Sequence, residues 1–215
     1  ESYVFRRAVC AIPTNSLNKT FAGMSKAIRK DRYVESVKAA FLLSPSYRRY
    51  PGDEEFQREL KVRDLYNFRS RSYWLRRLEN HGRRERVSVE DYTIEHILPQ
   101  NPDLSDDWKT SLGPDWQRIQ ETWLHTLGNL TLTGYNSEYS DHPFKYKRDT
   151  VTNRDGEPVG FAVSPLLLNQ GLAAVEVWDE QAIRARADRL AVRATKTWPA
   201  PQLSADILDA YRPVK

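Results

Sequence analysis

The sequence predicts a mainly helical domain with a small strand–strand–helix unit embedded in one compact fold. Three observations carry that expectation. Apolar residues recur at helical spacing through residues 1–85, two short segments near 93–99 and 129–133 interrupt them with β-branched residues, and Pro143 opens another helix after the second segment. With 215 residues, 40% of them hydrophobic, the chain is long enough to bury a core. Its longest apolar runs, such as Ala39 to Leu43, fall far short of the roughly 18 residues that a membrane span requires. A single cysteine, Cys10, excludes an internal disulfide and a cysteine-based zinc cluster, and fits a reducing cytoplasm. The opening Glu1-Ser2-Tyr3 shows no signal peptide, and the chain is expected to be part of a longer one.

The elements are expected in the following order. A helix from Tyr3 to Ile12 stops at Pro13, and Thr14-Asn15-Ser16 offers caps for another from Leu17 to Arg29. Tyr33, Val34, Val37, Ala40 and Phe41 form a helical stripe ended by Ser44-Pro45. Acids at Asp53-Glu54-Glu55 suit the first turn of a helix reaching Leu65, and Tyr73, Trp74, Leu75 and Leu78 mark one that stops at Gly82. Val87 to Leu98 reads as extended, Asn101 to Gly113 as loop, Trp116 to Leu127 as helix, and Asn129 to Thr133 as a short strand before the Gly134 turn. A helix follows Pro143, and a long one runs from Asp179 to Thr197. The corresponding subregions are a basic helical part (1–86), the strand–strand–helix core with a helical insertion (87–160), C-terminal helices (161–199) and a tail (200–215). Trp74, Trp123 and Trp178 are read as core.

Charge is distributed unevenly. Residues 1–90 hold 20 Lys/Arg against 11 Asp/Glu (20 − 11 = +9), and the remainder holds 13 against 18 (−5). The basic half is a candidate surface for a polyanion, with Arg83 and Arg84 inside an arginine-rich run from Arg69 to Arg86.

The residues with most chemical content are Glu95-His96-Ile97-Leu98-Pro99, Asn129 in Leu127-Gly128-Asn129-Leu130-Thr131-Leu132, and Asn136 in Gly134-Tyr135-Asn136-Ser137. They fall on the first strand, the second strand and the start of the helix. This order resembles the HNH, or His-Me finger, nucleases. With Tyr3 to Cys10, Pro13 to Lys19, Thr93 to Gln100 and Gly128 to Glu138, it resembles the C-terminal nuclease domain of GmrSD-type restriction endonucleases, a group that includes SspE-like antiphage enzymes.

The resemblance implies a ββα-metal unit and a DNA endonuclease of a bacterial restriction system. His96 would be the general base, since imidazole titrates near neutrality. Glu95 and Asn136 would hold a divalent metal, Mg²⁺ or alternatively Mn²⁺, and Asn129 would belong to the catalytic set by fixing the histidine loop. Lys145, Lys147, Arg148 and His125 join Arg83 and Arg84 as candidate DNA contacts. The implied partners are double-stranded phage or foreign DNA and an N-terminal nucleotide-hydrolysing, modification-sensing domain of the same parent chain; no membrane is involved. The competing reading is a non-catalytic helical DNA-binding or subunit-docking module with a degenerate hairpin.

Overall fold

The computed structural model describes residues 1–212. It divides into two units, one formed by residues 1–59 with the chain from Trp198 onward, the other by Leu60–Thr197.

In the first unit, α1 (Ser2–Val9) turns Phe5, Arg6, Arg7 and Val9 inward. The Arg6 guanidinium is fully buried and satisfied by Asp53 at 2.6 Å and by the carbonyls of Trp198 (2.7 Å) and Pro51 (3.0 Å). Trp198 packs its ring 4.2 Å from that of Phe5. Next come α2 (Leu17–Ala27), α3 (Tyr33–Leu42) and α4 (Asp53–Val62), the last running on into the second unit. On α3 the buried positions are Ser36 and Ala39, whereas Tyr33 and Val34 of the expected stripe are exposed. Within the segment expected as a tail, Ala205–Asp209 is helical and the Tyr211 hydroxyl donates to Glu35 at 2.8 Å.

The second unit carries α5 (Arg71–Asn80), β1 (Thr93–His96), α6 (Asp106–Leu112), α7 (Trp116–Trp123), β2 (Leu130–Thr133), α8 (Asn136–Tyr139), α9 (Phe144–Asp149) and α10 (Glu180–Thr197). β1 and β2 pair antiparallel, with Thr93 opposite Thr133 and His96 opposite Leu130. Two expectations are corrected. The extended segment shortens to four residues, because Val87–Tyr92 closes on itself through turns and the Asn80 amide instead of meeting a partner strand. The stretch expected as loop contains α6, whose Ser105 side chain caps the Trp108 N–H, whose first turn holds Asp106 and Asp107, and whose Trp108 is buried. Trp123 and Trp178 are core as expected, while Trp74 is half-buried.

One close approach fixes the hairpin. A Cβ at Gly128 would stand 2.4 Å from the Ile183 carbonyl of α10, so only glycine lets that helix lie on the turn before β2. From the same helix the buried Arg186 donates to the carbonyls of Leu127, Gly128, Leu130 and Leu168. Burial pushes its guanidinium down to about 9, still a cation at neutral pH. Among the described residues no helix is long and apolar enough to cross a membrane.

Candidate active site

The site grows out of the segment at and just beyond the end of β1. Ile97 N–H donates to the Asn129 carbonyl, which makes that pair hydrogen-bonded; by antiparallel alternation the pairs of Glu95 and Thr93 are hydrogen-bonded too. The carbonyls of Ile94 and His96 therefore point away from β2. Both are taken by side chains: Asn136 Nδ2 donates to Ile94 O and Thr93 Oγ1, each at 3.1 Å, and Lys147 Nζ donates to His96 O at 3.1 Å. Asn136 and Lys147 thus cap the outer edge of β1 on either side of Glu95.

Lys147 does more than cap. Its ammonium, with no exposed surface, lies 2.6 Å from Glu95 Oε1 and 3.2 Å from Ile97 O. Burial raises the Glu95 carboxyl to about 7 against the opposing pull of Lys147, and burial lowers the Lys147 ammonium. Lys147, expected at DNA, is instead an internal residue, because its three donors are spent on β1.

Asn129, also fully buried, uses its whole side chain as a clamp. Its Oδ1 accepts from Leu98 N (2.7 Å) and Trp178 Nε1 (3.3 Å), and its Nδ2 donates to Leu98 O (2.9 Å) and Leu124 O (3.0 Å). With no capacity left it acts by holding the backbone that follows His96, and its expected place in the catalytic set becomes a positioning one.

His96 lies on the opposite face of β1 from Glu95, as strand alternation requires. Its ring is 4% exposed and its Nε2 is 3.1 Å from His125 Nδ1, one of the two nitrogens carrying the shared proton. Tyr66 meets His96 edge-on at 4.5 Å and stacks on His125 at 5.0 Å, and Arg71 lies over the Tyr66 ring. The His125 carbonyl accepts from Leu65 N–H, tying the linker between α4 and α5 to this corner. Burial first, then the neighbouring His125, Lys147 and Arg71, press the His96 imidazole down to about 3, so it is neutral across the physiological range.

The family model for the C-terminal domain of GmrSD restriction endonucleases matches residues 50–193. The chain belongs to that family. No curated protein and no solved structure matches it. A domain of a restriction endonuclease family implies nuclease activity, with DNA as its substrate. The matched stretch contains Glu95, His96, Asn129, Asn136 and Lys147; the segments Tyr3 to Cys10 and Pro13 to Lys19 precede it.

Within this GmrSD-family domain the expected DNA contacts separate into two groups. Arg148 is buried and engaged by Asp149, Glu176 and the Val175 carbonyl. Arg83 donates to the Pro165 carbonyl and to Glu79, a fully buried carboxylate that also accepts from Leu167 N and Leu168 N. Arg148 is corrected to an internal role, while Arg83 is half-buried and held through its Nη2 by Glu79 and the Pro165 carbonyl, its Nε having no partner among the described residues. Arg84 and Lys145 are exposed, and His125 is half-buried. Sequence reasoning missed Tyr66. Nothing near position 66 announces it, since its partners lie some 30 and 60 residues further along the chain.

No group of three or more His, Cys, Asp or Glu side chains able to hold a metal occurs among the described residues. Glu95 Oε2 and Asn136 Oδ1, however, accept no hydrogen bond among them, so each residue keeps one hard oxygen unengaged. That donor set fits an ion such as Mg²⁺, which keeps several waters and shares substrate phosphates, and does not fit Zn²⁺.

Proposed function

We propose that this domain is a metal-dependent endodeoxyribonuclease of HNH type, in which β1, β2 and α8 form the ββα unit and His96 is the general base. The observation that carries the reading is the double clamp on the segment from Glu95 to Leu98, with Lys147 on one side and Asn129 on the other. A general base and a ligand must be held to fractions of an ångström; Lys147 spends its three donors on that segment, and Asn129 binds both the N–H and the carbonyl of Leu98.

Glu95 and Asn136 would hold one Mg²⁺ or Mn²⁺, which when bound polarises the scissile phosphate and stabilises the leaving oxygen. His96, neutral at pH 7, has a lone pair available to take a proton from the attacking water. His125 receives that proton through the Nε2–Nδ1 contact and connects the buried ring to the surface. Tyr66 and Arg71 stand where a phosphate would approach this corner, and Arg84 and Lys145 remain available to the DNA backbone. The biological setting we assign is cytoplasmic cleavage or nicking of foreign DNA, directed by a nucleotide-hydrolysing, modification-sensing N-terminal domain of the parent chain.

One gel tests this. Supercoiled plasmid incubated with the purified chain and Mg²⁺ or Mn²⁺ should be nicked or linearised, and His96→Gln should abolish that. An intact plasmid with a folded wild-type chain would favour the DNA-binding or docking module, a reading that the 4% exposure of His96 keeps open.

A further inference from the structure

The first unit holds a cavity of about 500 Å³ between α2, α3 and the turn at residues 46–48, lined wholly by residues outside the family match. Its residues divide by chemistry. Met24, Ala39 and Leu43 contribute apolar surface, and Tyr211 stands at the wall. Lys26, Arg29 and Arg48 are the charged residues that line it, with no carboxylate among the lining residues.

These three cations lack the partners that other arginines of this chain have. Arg6 and Arg49 are each paired with a carboxylate. Arg48 makes no hydrogen bond or ion pair through its guanidinium among the described residues; its one recorded contact is the Tyr47 ring at 5.1 Å, and its Nε is buried without an acceptor. Arg29 lies over the Tyr211 ring at 4.7 Å, and among the described residues neither Arg29 nor Lys26 forms an ion pair. Glu35, the partner of Tyr211 on α3, is engaged by the Tyr211 hydroxyl at 2.8 Å and by Arg32 at 3.7 Å. An unpartnered Nε is shared with Arg7, Arg76, Arg83 and Arg186, so the mark of this site is three cations on one cavity wall with no carboxylate beside them. The volume falls in the range of small-ligand sites, roughly 300–1,000 Å³.

We propose that this cavity binds a single nucleotide unit, its phosphate on Arg48, Arg29 and Lys26 and its sugar and base against the apolar wall and Tyr211. Phosphate suits the planar fork of arginine, and a flat base suits an apolar wall beside an aromatic ring. The nucleotide comes either from a free mononucleotide or from a strand of DNA.

The full chain is titrated by calorimetry with dAMP, with deoxyadenosine and with a short single-stranded oligonucleotide. Saturable binding of dAMP and none of deoxyadenosine is expected. Arg48→Gln and Arg29→Gln should each weaken dAMP binding about tenfold or more, the loss of one charge-assisted contact. Arg29 is exposed, so its variant tests the idea should Arg48→Gln lower the melting temperature. Failure of wild type to bind dAMP, or equal binding by a folded Arg29→Gln, overturns the proposal. If the oligonucleotide displaces dAMP, the natural source is DNA; if dAMP binds and the oligonucleotide cannot displace it, the source is the free nucleotide.

Discussion

Removing the Lys147 ammonium while keeping the bulk of its chain, as in Lys147→Met, isolates the contribution of the capped edge. Glu95 is 4% exposed and Lys147 has no exposed surface, so the variant leaves a carboxylate buried without its counter-ion and two carbonyls without a donor. Breaking a buried pair in this way costs about 3–5 kcal/mol, against about 0–1 kcal/mol for a surface pair. The double variant Glu95→Gln/Lys147→Met removes both charges and should cost less than the sum of the single changes by about 2 kcal/mol or more. The pH dependence has a definite sign. Glu95 already sits at about 7 when folded against 4.5 as a free side chain, and loss of Lys147 raises it further. A carboxyl raised on folding contributes stability below its unfolded value and loses it as pH rises through the folded one, so the Lys147→Met penalty should be smaller at pH 5 than at pH 8.5. Urea unfolding at the two pH values measures this. A penalty below about 1 kcal/mol, or strict additivity in the double variant, would refute a buried ion pair at this edge.

Five other outcomes are expected. His96→Gln should lower plasmid cleavage by at least about 10², the low end for general-base catalysis, and retained nicking would remove His96 from the chemistry. Because His96 titrates at about 3 when folded against 6.5 unfolded, its contribution is present above pH 6.5 and lost toward pH 3; His96→Gln should flatten the stability–pH slope in that window by up to one proton, about 1.4 kcal/mol per pH unit. Gly128→Ala should lower stability by about 1–3 kcal/mol, since the new methyl meets the α10 backbone, and an unchanged melting temperature would contradict that packing. EDTA should abolish cleavage and Asn136→Ala should raise the Mg²⁺ needed to restore it, whereas full activity in EDTA would exclude the metal. Replacing Arg84 and Lys145 with alanine should flatten the salt dependence of DNA binding by about one unit per phosphate lost, while Arg83→Ala should act on stability and leave that slope alone.

Most of the longer helices were legible in the sequence because their apolar spacing and stop signals are local. The motif residues were legible as a set because family resemblance carries their order. What escaped was decided by partners distant in sequence. Nothing beside Arg83 says that Glu79 is a buried acceptor for Leu167 and Leu168, and Tyr66 reaches the histidines only because the Leu65 N–H finds the His125 carbonyl. The helix at Asp106–Leu112 is a different kind of miss. Its capping serine, two leading acids and terminal glycine, at a positive φ of 78°, are local signals that mark a helix where a loop is expected.

α9 shows how the reading of charge can be sharpened. Phe144, Lys147 and Arg148 fall on one side of α9 at spacings of three and four and are buried, as is Val151 just past its end; Lys145, Tyr146 and Asp149 on the other side are exposed. Grouping Lys145, Lys147 and Arg148 as one basic patch therefore joined residues that the helical period separates. A cation on the same stripe as Phe144 and Val151 must enter the core with a partner or not at all, because an unpaired ammonium there would cost several kcal/mol. The partner has to be an acid in an equally buried position, and a strand flanked by apolar residues, with Glu95 between Ile94 and Ile97, supplies one. Periodicity on the helix and alternation on the strand thus mark Lys147 and Glu95 as candidates for each other, and the residues left over, Lys145 and Arg84, are the ones physically free to meet DNA.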